Sequence, residues 1–182
     1  VIPPHNLPAP QTSFIGRQKE LVQIASLLRD PACRLLTLVG PGGIGKTRLA
    51  LQAASKVLRS FPDGVYFISL EALSSANYMV PAIASALQFN IDLFINPELD
   101  PKHQLFNFLR NQSCLLVFDG SEHLLAGVVL MAEILSNAPR LKILATSRQK
   151  LELAGEWLFP VVGLPVSQPS LGAADEDASA LR

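Results

Sequence analysis

The chain has 182 residues, enough for one domain, or a little more, with a proper core, and its 15 basic and 15 acidic residues give a formal net charge of zero. With neither half strongly basic, direct nucleic-acid binding by this domain is not expected. Hydrophobic residues make up 49% and mean hydropathy is +0.31, which fits either a parallel sheet buried on both faces or a surface that packs on further domains.

Residues 1–13 hold four prolines and read as an N-terminal arm or linker. A helix is expected from Gln18 to Asp30, where Leu21, Ile24, Ala25 and Leu28 share a face and Pro31 stops the run. Leu35 to Val39 is a short apolar strand that feeds directly into a glycine-rich loop. Lys46 to Phe61 is a second helix, striped by Ala50, Ala53, Ala54, Val57 and Phe61, and Pro62-Asp63-Gly64 turns the chain. A second strand follows at Val65 to Leu70, then a helix near Val80 to Leu87 with Pro81 in its first turn.

Asp100-Pro101 has the form of an N-cap with proline at the first helical position, opening a helix to Arg110. Cys114 to Phe118 is a third, wholly apolar strand. The next helix carries the stripe Leu124, Val128, Met131 and Leu135 and ends at Asn137-Ala138-Pro139. Leu141 to Ala145 and Trp157 to Val161 are the fourth and fifth strands. Strands alternating with helices predict an α/β fold, a three-layer α/β/α sandwich around a parallel sheet. The segment 167–182, with its acidic run Asp175-Glu176-Asp177, reads as a linker or as the start of a further helical domain.

No apolar run is long enough to cross a membrane, since Leu124 to Leu135 is only about a dozen residues and contains Glu133. The N-terminal residues show no signal pattern. Cys33 and Cys114 lie far apart in no metal-binding spacing, so reduced thiols and a cytoplasmic protein are expected.

The chemistry is concentrated in three places. Gly40-Pro41-Gly42-Gly43-Ile44-Gly45-Lys46-Thr47 matches the P-loop pattern at every fixed position, between a strand and a helix as that pattern requires. Its glycines let successive N–H groups form an anion-binding nest at a helix N-terminus. Lys46 supplies charge to the phosphates of ATP or ADP, Thr47 a hydroxyl to Mg²⁺, and Arg48 is counted with the nucleotide contacts. Leu115-Leu116-Val117-Phe118-Asp119 ends a buried strand in a carboxylate, which suits Asp119 to the Mg²⁺ shell. Gly120 stands where a water-polarising acid often follows. Glu122 is a candidate for positioning water, whereas His123 fits an ordinary place in a helix's first turn. In Thr146-Ser147-Arg148, Arg148 can either reach a γ-phosphate from the carboxyl end of its strand or open a solvated helix over Gln149 to Leu151.

Together these segments resemble the STAND class of signalling P-loop ATPases, in its AP-ATPase or NB-ARC branch, over about residues 6 to 166. Asn6-Leu7-Pro8-Ala9-Pro10 leading to Phe14-Ile15-Gly16-Arg17 is similar to that family's N-terminal motif, which by the resemblance lies over the adenine. Leu115 to Asp119 followed by Glu122-His123-Leu124-Leu125 resembles a bacterial form of its Walker B motif. Leu144 to Arg148 resembles its sensor strand, whose Arg approaches the γ-phosphate. Gly155-Glu156-Trp157 with Gly163-Leu164-Pro165 resembles the segment leading out of the nucleotide-binding core.

The resemblance implies a nucleotide-binding domain at 14–166 with a five-stranded parallel sheet in the order 5-1-4-3-2. It implies helical and winged-helix domains beyond it, so the chain is expected to be a piece of a longer protein. It further implies an ATP/ADP switch that hydrolyses ATP slowly, at most a weak ATPase, and forms homo-oligomers in the ATP state. The alternatives are a turnover ATPase of AAA+-like type and an interaction scaffold with a vestigial nucleotide site.

Overall fold

The computed structural model describes residues 2–9, 14, 16–90, 100–121 and 125–163. Ile15, Glu122, His123, Leu124 and the segment 164–182 lie outside the described residues. Five strands form a single all-parallel sheet: β1 (Leu35–Val39), β2 (Val65–Ser69), β3 (Leu115–Asp119), β4 (Lys142–Ser147) and β5 (Glu156–Pro160). Their order is β2-β3-β4-β1-β5, the order expected from sequence, with β4 lying between β1 and β3.

The strands are apolar throughout because both faces of the sheet are covered. Leu115, Val117, Leu144, Leu36 and Leu38 point to one face, beneath α1 (Gln18–Arg29) and α2 (Lys46–Val57). Leu116, Phe118, Ile143, Ala145 and Leu35 point to the other. There they meet α3 (Met79–Ala86), α4 (Pro101–Leu109) and α5 (Leu125–Asn137). The period of two along each strand thus divides the core into two layers. α1 and α2 bury the stripes expected of them. In α5 the buried apolar side chains are Leu130, Met131 and Ile134, while Val128 and Leu135 of the expected stripe are only partly covered. Among the described residues no helix is long and apolar enough to cross a membrane.

Two local readings change. The second helix stops at Val57 and tightens into a 3₁₀ turn, Leu58–Ser60, because Pro62 forces Phe61 into an extended conformation (φ −122°, ψ 89°). No helix forms over Gln149 to Leu151. Instead the Glu156 carboxylate accepts from the backbone N–H groups of Leu151 (2.9 Å) and Glu152 (3.0 Å), and Glu152 turns to φ 61°. Strand ends otherwise shift by one or two residues, as element boundaries do.

Burial pushes the thiol of Cys114 up to about 12 and that of Cys33 to about 11, and both are free. The thiolate is the reactive form, so both behave as apolar core residues.

The proline-rich start of the chain is extended, but it is also attached to the sheet. His5 bridges Val65 in parallel, and Val65 N–H donates to Pro4 O at 3.0 Å. The Asn6 side chain then reproduces a strand's pairing on Phe67, donating from Nδ2 to its O (2.9 Å) and accepting at Oδ1 from its N–H (2.6 Å). This covers the outer edge of β2, where unpaired backbone groups would invite association. Asn6→Ala removes both bonds, and at about 0.5–1.5 kcal/mol each the loss is about 1–3 kcal/mol. Thermal unfolding of this variant is expected several degrees below the unsubstituted chain, and an unchanged midpoint would show that the arm adds nothing to the edge.

Candidate functional site

A parallel sheet delivers the carboxyl end of every strand to one edge, and there the crevice forms. β1 ends in the glycine-rich loop, β3 in Asp119, β4 in Ser147 followed by Arg148, and β2 in Ser69 followed by Leu70 and Glu71. A cavity of about 230 Å³ lies among these ends, lined by Gly42, Lys46, Thr47, Asp119 and Arg148, with Gly43, Gly45, Arg48, Glu71, Gly120 and Thr146. A larger hollow, about 620 Å³, lies between Ile2–Pro4 and Arg59 with Pro62, and its lining is largely proline.

The loop's course explains its glycines. Gly43 (φ 73°) and Gly45 (φ 93°) occupy the left-handed region. At Gly40 the limit is space, since a Cβ would stand 2.6 Å from Val161 O. Ile44 packs at the margin of the α1/α2 core layer. Lys46 is 9% exposed and its ammonium donates to Gly40 O (2.8 Å) and Pro41 O (2.9 Å), which holds it beneath the loop. Three N–H donors belong to an ammonium, so the loop's own carbonyls take two of them.

Asp119 organises the end of β3, two strands over from β1. It is 7% exposed, and its Oδ1 accepts from Thr47 Oγ1 at 2.7 Å and from Thr146 Oγ1 at 2.6 Å. Thr146 in turn accepts from Gly120 N–H at 3.1 Å. One carboxylate thereby ties together α2, β3 and β4. Among the described residues Oδ2 accepts no hydrogen bond.

Arg148, just past the end of β4, reaches the loop that follows the neighbouring β1. Its guanidinium atoms lie 3.6–3.7 Å from where a Cβ on Gly42 would stand, so it lies over the loop beside the cavity. Arg17, at φ 57°, sends a guanidinium nitrogen to two carbonyls, Ile44 O and Val162 O, each at 3.0 Å. It fastens the loop to the segment beyond β5 and to the start of α1. Gly16 (φ 77°) makes the turn into it, and Phe14 lies under the Arg48 guanidinium, 6.0 Å from Cζ to ring centroid. The structure therefore brings together the P-loop, Asp119 and Arg148, while Phe14, Gly16 and Arg17 flank the loop at α1. Ile15 and Glu122 lie outside the described residues.

Two participants were not singled out from sequence. Thr146 was read only as a neighbour of Arg148, yet it is the second hydroxyl on Asp119. Glu71 was not considered at all, although a carboxylate just past the carboxyl end of a strand is the available signal.

The NB-ARC domain family matches residues 17–157. An uncharacterized protein of Mycobacterium tuberculosis is 36% identical over 156 residues, which cover 84% of this chain and 38% of that protein. A second protein of the same organism, provisionally named as an HTH-type transcriptional regulator, is 38% identical over 144 residues, 79% of this chain and 15% of the other. The chain thus spans well under half the length of these relatives. Among solved structures, the Cdc6p protein of Pyrobaculum aerophilum superposes with a TM-score of 0.57 at 18% identity, covering 86% of this chain and 47% of that one, a likeness of fold.

Gly120 is the tightest point of the site. It has φ 77°, and a Cβ there would run into Glu71 Cγ. A Gly120→Ala substitution must hold an L residue in the left-handed region as well as displace that side chain. The expected cost is about 1–3 kcal/mol in chemical denaturation, and a stability equal to that of the unsubstituted chain would show that the backbone relaxes freely here.

Proposed function

The chain belongs to the NB-ARC family, a family of nucleotide-binding domains, and we propose that it is the ATP/ADP-binding switch module of a larger STAND-type signalling protein. The observation that carries this reading is the meeting of Lys46, Thr47, Asp119 and Arg148 around one cavity. The loop's N–H groups and the positive end of α2 receive the α- and β-phosphates. Lys46 adds a fixed charge. Arg148, lying over Gly42, is on the side where only a triphosphate has a further phosphoryl group. By the family resemblance, Phe14, Ile15, Gly16 and Arg17 would contact the adenine.

Thr47 and Asp119 offer hydroxyl and carboxylate oxygens already 2.7 Å apart, hard donors of the kind Mg²⁺ prefers, and they are the residues that would hold it. Bound there, the ion would neutralise phosphate charge.

A γ-phosphate can shift a conformational equilibrium only through contacts made in one of the two states. Arg148 is the candidate for such a contact. Arg17 is a candidate for its transmission, because one guanidinium holds both the P-loop at Ile44 and the segment beyond β5 at Val162. On this reading residues 14–166 are the nucleotide-binding domain, 1–13 an arm before it, and 167–182 a connection to helical and winged-helix domains. The ATP form of the whole protein would homo-oligomerise in the cytoplasm. Hydrolysis would be slow, because Gly120 offers no acid of its own directly after Asp119, where one fixed to the end of β3 could orient water.

Two substitutions test this by calorimetric titration. Lys46→Ala should weaken ATP on the order of tenfold to a hundredfold, the worth of a charge-assisted contact of about 1.5–3 kcal/mol. Unchanged affinity would remove the phosphate-binding role. Arg148→Ala should weaken ATP more than ADP, and equal losses would reduce Arg148 to support of the loop.

A further inference from the structure

Position 120 carries no side chain, yet the space beside Asp119 is occupied, from a different strand. The Glu71 side chain fills it. Its Cγ stands against the place a Cβ on Gly120 would take, and its Oε1 lies 3.3 Å from that place.

The sheet fixes this meeting. Ser69 on β2 is in register with Asp119 on β3, and Leu70 N–H donates to Asp119 O at 2.9 Å. Glu71 therefore leaves the sheet alongside Gly120. The glycine's left-handed turn and its missing Cβ admit the Glu71 stem. Glu71 is solvent-exposed and lines the same cavity as Lys46, Thr47, Asp119 and Arg148.

We propose that Glu71 orients and deprotonates the water that attacks the γ-phosphate, in place of an acid at position 120. This rests on the nucleotide-switch reading above. In the step, the water oxygen bonds to the γ-phosphorus as the bond from that phosphorus to the β–γ bridging oxygen breaks. The electron pair leaves with ADP, the water's proton passes to the Glu71 carboxylate, and the phosphate departs. The proton is then released to solvent.

The test is single-turnover cleavage of γ-labelled ATP with the chain in excess, in the unsubstituted protein, Glu71→Gln and Glu71→Asp. Affinities for ADP and for a non-hydrolysable ATP analogue are measured alongside. Glu71→Gln should slow cleavage on the order of a hundredfold, with Glu71→Asp intermediate, while both affinities stay unchanged. Retained ADP affinity also shows that the variants fold. Cleavage by Glu71→Gln at the unsubstituted rate would overturn the assignment. So would a loss of analogue affinity as large as the loss of rate, since Glu71 would then serve binding. Nucleotide bound by the unsubstituted chain but never cleaved would overturn it as well, with the binding reading left standing. A chain that binds neither nucleotide would overturn the underlying reading and the proposal with it.

Discussion

Everything at this site depends on the parallel run of five strands. Because they share a direction, the loop after β1, Asp119 at the end of β3, Ser147 at the end of β4 and Ser69 at the end of β2 reach the same edge. The two-sided burial of the sheet makes that edge rigid. Phe118, immediately before Asp119, is fully buried, and so are Ala145 and Leu38 near the ends of their strands. Polar side chains beyond such anchors have little freedom to drift, and a few tenths of an ångström matter where groups must act together.

Asp119 shows the consequence. Removing a carboxylate from water is costly unless its oxygens are satisfied, and here Oδ1 receives hydroxyls from two other elements, α2 and β4. The hydrogen-bond chain runs on from Thr146 to Gly120 N–H, so the backbone turn that leaves β3 is set by the same network. That turn is left-handed, which glycine tolerates, and the room it leaves admits Glu71. One glycine thus has two roles: it removes a side chain from the end of β3 and makes space for one from β2.

The fold was legible because its signals are local and repeated. Apolar runs of strand length, alternating with striped helices such as Leu21-Ile24-Ala25-Leu28, leave little choice but a covered parallel sheet. The strand order followed from the family resemblance carried by Gly40–Thr47, Leu115–Asp119 and Leu144–Arg148. What escaped reading depends on pairs distant in sequence. Asn6 clamps Phe67 from 61 residues away, Arg17 reaches Val162 across 145, and Thr146 reaches Asp119 across 27. Glu71 and Gly120 are neighbours only through the β2–β3 register. The missing helix over Gln149 to Leu151 is a smaller case of the same kind. Glu156, belonging to the next strand, takes the N–H groups of Leu151 and Glu152 into the turn it shapes.

The central claim is that the edge formed by Gly40–Thr47, Asp119 and Arg148 holds a nucleoside polyphosphate together with a divalent cation. The most direct measurement is calorimetric titration of the unsubstituted chain with ADP and with ATP, each with magnesium present and with it chelated. The account predicts saturable binding of one nucleotide per chain, weakened when magnesium is removed because Thr47 and Asp119 then have no ion to share with the phosphates. Absence of binding at millimolar nucleotide, or binding indifferent to both magnesium and the number of phosphates, would contradict it.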